Sequence, residues 1–113
     1  MKYLKTFENI DPCLIYDDCR DSYVWKIPTK YPYIIIALKK IGMDQHNIDF
    51  YSKRIFGAND PYCLIFKTIN KNGKCDWSYA GLEYHNPDYR KPPVQMGEVK
   101  VEDYEVDAEK YNL

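Results

Sequence analysis

The stretch that most constrains how this chain can fold is residues 61–84, PYCLIFKTINKNGKCDWSYAGLEY, which predicts a β-hairpin. At its centre lies Asn72-Gly73, a pair that favours a tight turn because Asn and Gly tolerate the positive φ angles that such turns need. The flanking residues are mostly β-branched and aromatic, as is typical of strands. The sequence therefore predicts two antiparallel strands at the centre of the fold.

The first strand of this hairpin is apolar on both faces. Side chains alternate between the two faces of a strand, which here places Tyr62, Leu64 and Phe66 on one face and Cys63, Ile65 and Ile69 on the other. A strand that is apolar on both faces needs cover on both, from a helix, a second sheet or another chain. The hairpin thus predicts a layered fold.

The register of the hairpin depends on the length of its turn. A two-residue loop pairs Thr68 with Trp77, whereas a three-residue loop over residues 71–73 pairs Lys67 with Trp77. A shift of one residue moves every side chain of a strand to the other face. Because cross-strand pairs differ by only about 0.2–1 kcal/mol, the sequence leaves both registers open.

Residues 29–41 predict the first helix. Thr29 can cap the N-terminus of this helix, and Gly42 can adopt the left-handed conformation that commonly follows the last helical residue. The apolar side chains have the spacing of one helix face, namely Tyr31, Ile34, Ile35, Leu38 and Ile41. We expect this apolar stripe to cover one face of the hairpin.

Residues 45–56 predict a second helix, with Asp44 as its N-cap and Gly57 as its stop. One side of this helix is apolar through Ile48, Tyr51 and Ile55. The pattern is weaker than in the first helix because two further aromatic residues, Phe50 and Phe56, widen the apolar stripe.

The two ends of the chain predict less regular structure. Residues 13–16 and 23–27 predict an N-terminal hairpin joined by a loop over 17–22, which is too polar for a strand. Residues 85–113 predict an extended, proline-containing and acidic arm, with a last short strand at 99–102 where Val and charged residues alternate. Together these elements predict a single α+β domain over 1–113, a mainly antiparallel sheet packed against one or two helices.

Composition excludes several classes of protein. The net charge of −1 argues against a general polyanion-binding protein. There is no apolar run long enough for a membrane span and no secretion signal, so we expect a cytoplasmic protein without membrane contact. The four cysteines form no C-x-x-C pair and are expected to be free thiols.

Motifs for catalysis or metal binding are missing from the sequence. It contains neither a Gly-rich phosphate loop nor G-x-S-x-G or H-E-x-x-H, and only two histidines, His46 and His85. Asp17, Asp18 and Asp21 could together hold a cation, but a solvated turn explains them equally well. We therefore predict no catalytic residues, metal or cofactor, with a small enzyme of unrecognised site as an alternative.

Protein binding is the function that the sequence favours. The chain has 12 tyrosines, an apolar hairpin and a charged arm, and aromatic residues are enriched at protein interfaces. The predicted interface residues are Tyr62, Trp77, Tyr79, Tyr84 and Tyr104. The working hypothesis is an inhibitor, accessory protein or homodimer, and the excess of Lys over Arg with abundant Ile, Asn and Tyr is typical of low-GC bacteria, their phages and some viruses.

Nucleic-acid binding is the alternative hypothesis. Two helices followed by a hairpin with a basic tip have the order of a winged helix-turn-helix. The basic residues that would contact phosphates are Lys39, Lys40, Lys53, Arg54, Lys71 and Lys74. Asp44 and Asp49 oppose this hypothesis, because carboxylates near phosphates are repelled.

Overall fold

The computed structural model describes residues 19–84 and 92–110, and in this part of the chain it contains four strands and three helices. The α+β prediction is confirmed, with a mixed sheet of strand order β3-β2-β1-β4. The elements are β1 (Cys19–Pro28), α1 (Tyr33–Lys40), α2 (Gln45–Ile55), β2 (Tyr62–Asn70), β3 (Cys75–Ala80), β4 (Val94–Glu98) and α3 (Asp103–Lys110).

The described residues group into two units by their contacts. One unit contains residues 19–26, 63–84 and 92–97, and thus most of the sheet. The other contains residues 27–62 and 98–110, and thus the three helices. The assignment of residues 1–113 to a single domain stays a prediction.

The hairpin of β2 and β3 has the register of the three-residue loop, with Lys67 opposite Trp77. Its turn is held by Asn70, whose side-chain oxygen accepts from the backbone N–H groups of Asn72 and Lys74, each at 2.9 Å. The Gly73 N–H donates to the Asn70 carbonyl at 2.9 Å, and Gly73 has φ +85°. A glycine in this left-handed position is typical of three-residue hairpin loops.

Strand β2 is buried on both of its faces, as the apolar pattern predicts. Cys63 and Ile65 are fully buried on one face, and Phe66 and Thr68 are almost fully buried on the other. Phe66 clusters with buried Val24 and Ala80 and with half-buried Leu64 and Tyr84. The hairpin therefore forms the core of its unit.

Strand β1 begins earlier than the sequence suggests. The predicted loop over 17–22 is wrong for residues 19–22, which belong to β1. Neighbouring strands on both sides supply hydrogen bonds to β1, and its small Ser22 is buried on the same face as Val24, so polar side chains do not end the strand here. The predicted strand at 13–16 and residues 17–18 lie outside the described residues.

Helix α1 is shorter at its start than predicted, and Thr29 is not its cap. The helix begins after Pro32, which makes no side-chain capping bond. The Thr29 hydroxyl instead donates to the Asp60 carbonyl at 2.6 Å, and the Thr29 N–H donates to the Pro61 carbonyl at 3.0 Å. These two hydrogen bonds connect Thr29, near the start of the helical unit, to the segment that precedes β2.

The C-terminus of α1 confirms the role of Gly42, which has φ +86°. Its N–H donates to the Lys39 carbonyl, and the Met43 N–H donates to the Leu38 carbonyl, the two bonds of a Schellman motif. The buried face is centred on Ile34, Ile36, Ala37 and Leu38. The predicted apolar stripe is therefore wrong for Tyr31, which is 58% exposed.

Helix α2 confirms the prediction closely. The Asp44 carboxylate caps the helix by accepting from the Asn47 N–H, and Gly57 follows the helix with φ +92°. Ile48, Tyr51 and Ile55 are buried. The Asn47 side-chain amide also donates to Asp44, which lowers the pKa of this carboxyl. Helix α2 thus has a capped N-terminus and one buried apolar face.

The C-terminal part has more regular structure than predicted. The short strand is β4 at Val94–Glu98, so the strand predicted at 99–102 is wrong. Residues 103–110 form α3, whose start is stabilised by the Glu105 carboxylate accepting from the Glu102 N–H at 2.9 Å, one half of a capping box. This bond lowers the pKa of Glu105, as does a bond from Lys40. Residues 85–91 and 111–113 of the predicted arm lie outside the described residues.

Candidate binding surface

A groove lies between α1 and α2, within the helical unit. On α2 the lining residues occupy positions 49, 52, 53 and 56, a spacing that places them on one helix face. The turn before α1 and α1 itself complete the groove. Its volume is about 470 Å³, and its lining residues are Tyr31, Ile35, Asp49, Ser52, Lys53 and Phe56. We call it the α1–α2 groove.

Two exposed aromatic rings contact each other at this groove. Tyr31 and Phe56 are each 58% exposed, and their ring centroids lie 5.7 Å apart in an edge-to-face arrangement. Tyr31 precedes α1, and Phe56 is the C-cap of α2 with non-helical backbone angles, so neither ring is on the buried face of a helix. A third ring, Phe50, is 44% exposed on α2 and contacts Tyr51 edge to face.

Basic side chains accompany these rings. The Arg54 guanidinium lies 4.7 Å from the centroid of the Phe50 ring, a cation–π contact. Lys53 lines the groove, and Lys30 precedes Tyr31, with both lysines exposed. The carboxylate of Asp49 accepts a hydrogen bond from the Gln45 amide at 2.8 Å.

A second aromatic cluster lies on the sheet, in the other unit. The rings of Trp25 on β1 and Trp77 on β3 are 6.2 Å apart, and they meet across β2, which lies between those strands. Tyr23 adds a ring 6.3 Å from Trp25, and the Lys67 amine lies 5.5 Å from the Trp77 ring. We call these four half-buried residues the tryptophan platform.

A cleft of about 390 Å³ in the helical unit is lined by tyrosine, proline and residues 98–102. The hydroxyl of Tyr33, which lines this cleft, donates to the Asp103 carboxylate at 2.5 Å, and this bond raises the pKa of Tyr33. A phenol held in its protonated form is a poor general base. Two lysines and two glutamates also line the cleft. Their charges cancel, so the cleft favours neither an anionic nor a cationic ligand.

The five predicted interface residues do not form one cluster. Trp77 is half-buried in the tryptophan platform, Tyr79 is only 6% exposed, and Tyr84 packs edge to face on Phe66. In the helical unit, Tyr62 lines the cleft and Tyr104 is 71% exposed on α3. Only Tyr104 among them is widely accessible.

The predicted nucleic-acid residues are distributed over both units. Lys39 and Lys40 end α1, and Lys53 and Arg54 end α2. Lys71 and Lys74 lie exposed at the hairpin turn of the other unit. Within the helical unit, Lys40 forms an ion pair with Glu105 at 2.7 Å and donates to the Lys100 carbonyl, and Arg54 stacks on Phe50.

Residues 19–84 and 92–110 contain no group of three His, Cys, Asp or Glu side chains placed to hold a metal ion. Asp21 of the three predicted candidates lies in β1, and Asp17 and Asp18 are outside the described residues. Within the same described stretches, no helix is long and apolar enough to cross a membrane.

The described residues form an α+β fold with an exposed aromatic pair before the start of α1 and at the end of α2. No protein-family model matches the chain, and no curated protein or solved structure is significantly similar to it. The sequence did not predict this groove, although Lys53 in its lining is among the predicted nucleic-acid contacts. The available signal was that Phe50 and Phe56 do not share the spacing of Ile48, Tyr51 and Ile55.

Proposed function

We propose that this protein is a non-enzymatic protein-binding module and that its contact surface is the α1–α2 groove. The observation that carries the proposal is the pair of aromatic rings, Tyr31 and Phe56, each 58% exposed and in contact with each other. Clustered exposed apolar side chains mark interaction sites, whereas single ones are ordinary. Tyr104 is more exposed, but among the described residues it forms no such cluster.

Binding of a ligand at the groove should cost the protein little conformational entropy, because the α2 side of the groove is part of a capped and packed helix. Its α2 face is fixed by the Asp44 cap and by buried Ile48 and Ile55. Preorganised surfaces lose less conformational entropy on association. Fully burying an exposed Phe side chain contributes about 1.5–3 kcal/mol, and burial of the exposed part of each ring contributes a fraction of that.

A display library of random peptides tests this proposal. Peptides enriched on the wild-type protein should bind the Phe56→Ser variant about tenfold more weakly or worse, because removal of an aromatic anchor typically costs over 1 kcal/mol. Phe56 is exposed and ends its helix, so this change should leave the far-UV circular dichroism unaltered. Tyr104→Ser is the matched control, since it removes an exposed ring elsewhere. Peptides that bind both variants equally well, or no enrichment, would contradict the proposal.

The biological role that we propose for this module is an inhibitor or accessory protein of a phage, virus or low-GC bacterium, acting in the cytoplasm by surface contact. The support is compositional: the chain is small, has 12 tyrosines and ends in an acidic segment. A second copy of the same chain, forming a homodimer, is the simplest alternative partner. Light scattering coupled to size exclusion would detect it as a mass that rises with protein concentration.

Single-stranded nucleic acid is a second candidate ligand, favoured by the tryptophan platform. Bases stack on aromatic rings of sheet surfaces, and lysines contact the phosphates. Here Lys67 lies against Trp77, and Lys71 and Lys74 are exposed at the adjoining turn.

Tryptophan fluorescence tests this second candidate directly, because both tryptophans of the chain belong to the platform. An oligothymidylate should quench the emission, and added salt should reverse the quenching. Lys67→Gln should weaken binding more than the control Lys39→Gln, which changes a helix outside the platform. Emission that does not change on titration would remove this candidate.

A further inference from the structure

We infer that residues 98–110 act as a strap that detaches from α1 while the rest of the helical unit stays folded. The strap consists of α3 and the preceding segment 98–102, which belongs to the lining of the cleft of about 390 Å³. Detachment of the strap therefore opens this cleft. The inference concerns residues outside the α1–α2 groove and goes beyond the proposed function, on which it does not depend.

Helix α3 buries little apolar surface. Among residues 103–108, whose side chains the structure describes, only Val106 is buried, and Asp103, Tyr104 and Asp107 are exposed. Most of the stability of a helix in a protein comes from the packing of its apolar face, and isolated helices shorter than about 12–15 residues are marginal in water. Because α3 has eight residues, it should form only while its contacts with α1 hold it.

Polar contacts at the surface connect the strap to α1. The Tyr33 hydroxyl donates to the Asp103 carboxylate at 2.5 Å. The Lys40 amine donates to the Lys100 carbonyl at 2.8 Å and pairs with the Glu105 carboxylate at 2.7 Å. All three contacts are exposed, so water competes for the same groups, and exposed ion pairs contribute little to stability. These contacts fix the position of α3 without holding it tightly.

The Glu105 carboxylate couples the formation of α3 to its docking. It accepts from the backbone N–H of Glu102 at 2.9 Å, which caps the first turn of α3. It also accepts from the Lys40 amine of α1 at 2.9 Å. Both bonds favour the ionised carboxylate and lower the pKa of Glu105, the bond from Glu102 more than the bond from Lys40. Removal of this carboxylate therefore weakens the helix and its docking together, whereas removal of the Lys40 amine weakens the docking alone.

The rest of the helical unit has a packed core. Its α1 and α2 side chains that are almost completely buried are Ile34, Ala37, Leu38, Ile48 and Ile55. Segments with few buried apolar contacts open at a lower free energy than such a core. The strap should therefore open locally while α1 and α2 stay folded.

Native-state hydrogen exchange of the full-length protein, followed by NMR, tests this local opening. After correction for intrinsic rates, the amides of residues 106–108 should exchange at least about a hundredfold faster than the amide of Ile55, which is fully buried in α2. Urea below the unfolding transition should not accelerate exchange at 106–108, because a local opening exposes little new surface. Equal rates and equal urea dependence at 106–108 and Ile55 would show that the strap opens only when the whole unit unfolds, and would overturn the inference.

Three variants test the role of the Glu105 carboxylate in the same experiment. Lys40→Gln and Glu105→Gln each remove the ion pair but leave an acceptor for the Glu102 N–H, so each should accelerate exchange at 106–108 by about two- to fivefold. Glu105→Ala also removes the cap and should accelerate this exchange by about tenfold or more. Exchange at Ile55 should not change. If the Ala variant exchanges no faster than the two Gln variants, the carboxylate does not couple helix formation to docking.

Limited digestion with trypsin tests whether residues 98–102 leave together with α3. Cleavage after Lys100, whose carbonyl accepts from Lys40 in the docked strap, requires that this segment leave α1. Glu105→Ala should accelerate the cleavage by the same factor as the exchange of α3, since proteolysis follows the population of the open state when reclosing is fast. Asp107→Asn, which changes an exposed acidic residue of the same helix, is the matched control and should accelerate neither. Faster exchange without faster cleavage after Lys100, as identified by mass spectrometry, would show that α3 opens alone and that the cleft stays closed.

Discussion

Replacing Ile65 with Ala should lower the free energy of unfolding by about 2–5 kcal/mol, the range found for large-to-small changes in protein cores. Ile65 is fully buried on β2, an inner strand of the sheet between β3 and β1. The loss combines the transfer free energy of the removed methyl and methylene groups with the cavity that the surrounding residues cannot fill. Since a domain of this size is stable by about 5–15 kcal/mol, this single change removes a large part of the stability.

Ile69→Ala is the matched control for Ile65→Ala. Ile69 lies on the same strand and the same face, but it is only half-buried, so its replacement should cost clearly less. Urea unfolding followed by far-UV circular dichroism measures both changes. Equal losses in the two variants would show that the face of β2 that carries Ile65 is not a packed core.

Features of the fold that depend on neighbouring residues could be predicted from the sequence. The cap at Asp44 and the left-handed glycines after α1 and α2 each involve residues within one or two turns of each other. The register of the hairpin was open because it depends on Asn70, whose side chain accepts two backbone N–H groups of the turn. Asn72-Gly73 alone does not distinguish the two loop lengths.

Features that depend on distant residues could not be predicted. Thr29 has the pattern of a helix cap, but its hydroxyl donates to Asp60, which is 31 residues away. The charged segment that forms α3 has a weak apolar pattern, and its contacts lie in α1: Lys40 pairs with Glu105, and Tyr33 bonds to Asp103. Local propensity cannot show such contacts, because tertiary packing decides them.

The candidate binding surface was missed for a related reason. Tyr31 fits the apolar stripe of the first helix by spacing, but α1 begins only at Tyr33, so Tyr31 lies in the preceding turn and is exposed. Phe56 ends α2 and turns away from the buried face. A shift of three residues in the N-cap of a helix, from Thr29 to Pro32, thus changes a predicted core residue into a surface residue. Boundaries are the part of a helix that sequence patterns define least well.

The thiol of Cys63 should react with iodoacetamide at pH 8 at least about a thousandfold more slowly than the exposed thiol of Cys75. Burial raises the pKa of Cys63 to about 12, so only about one Cys63 thiol in ten thousand is ionised at this pH. An ordinary thiol with a pKa of about 8.5 is roughly one quarter ionised, and only the thiolate is nucleophilic. Steric exclusion of the reagent adds to this difference. Mass spectrometry of the digested protein reports each cysteine separately, and in denaturant the two should react at similar rates.

The same labelling experiment connects the thiol to the core in which it lies. Cys63 and Ile65 are both fully buried and point to the same face of β2, so reagent should reach Cys63 only when this part of the sheet opens. If that opening is global unfolding, Ile65→Ala should accelerate labelling of Cys63 by about thirtyfold or more, since each 1.36 kcal/mol corresponds to a factor of ten. The rate at Cys75 should not change, because that thiol is exposed without opening. An Ile65→Ala variant that is destabilised but labels Cys63 at the wild-type rate would show that Cys63 is reached by a local fluctuation in which the Ile65 side chain stays packed.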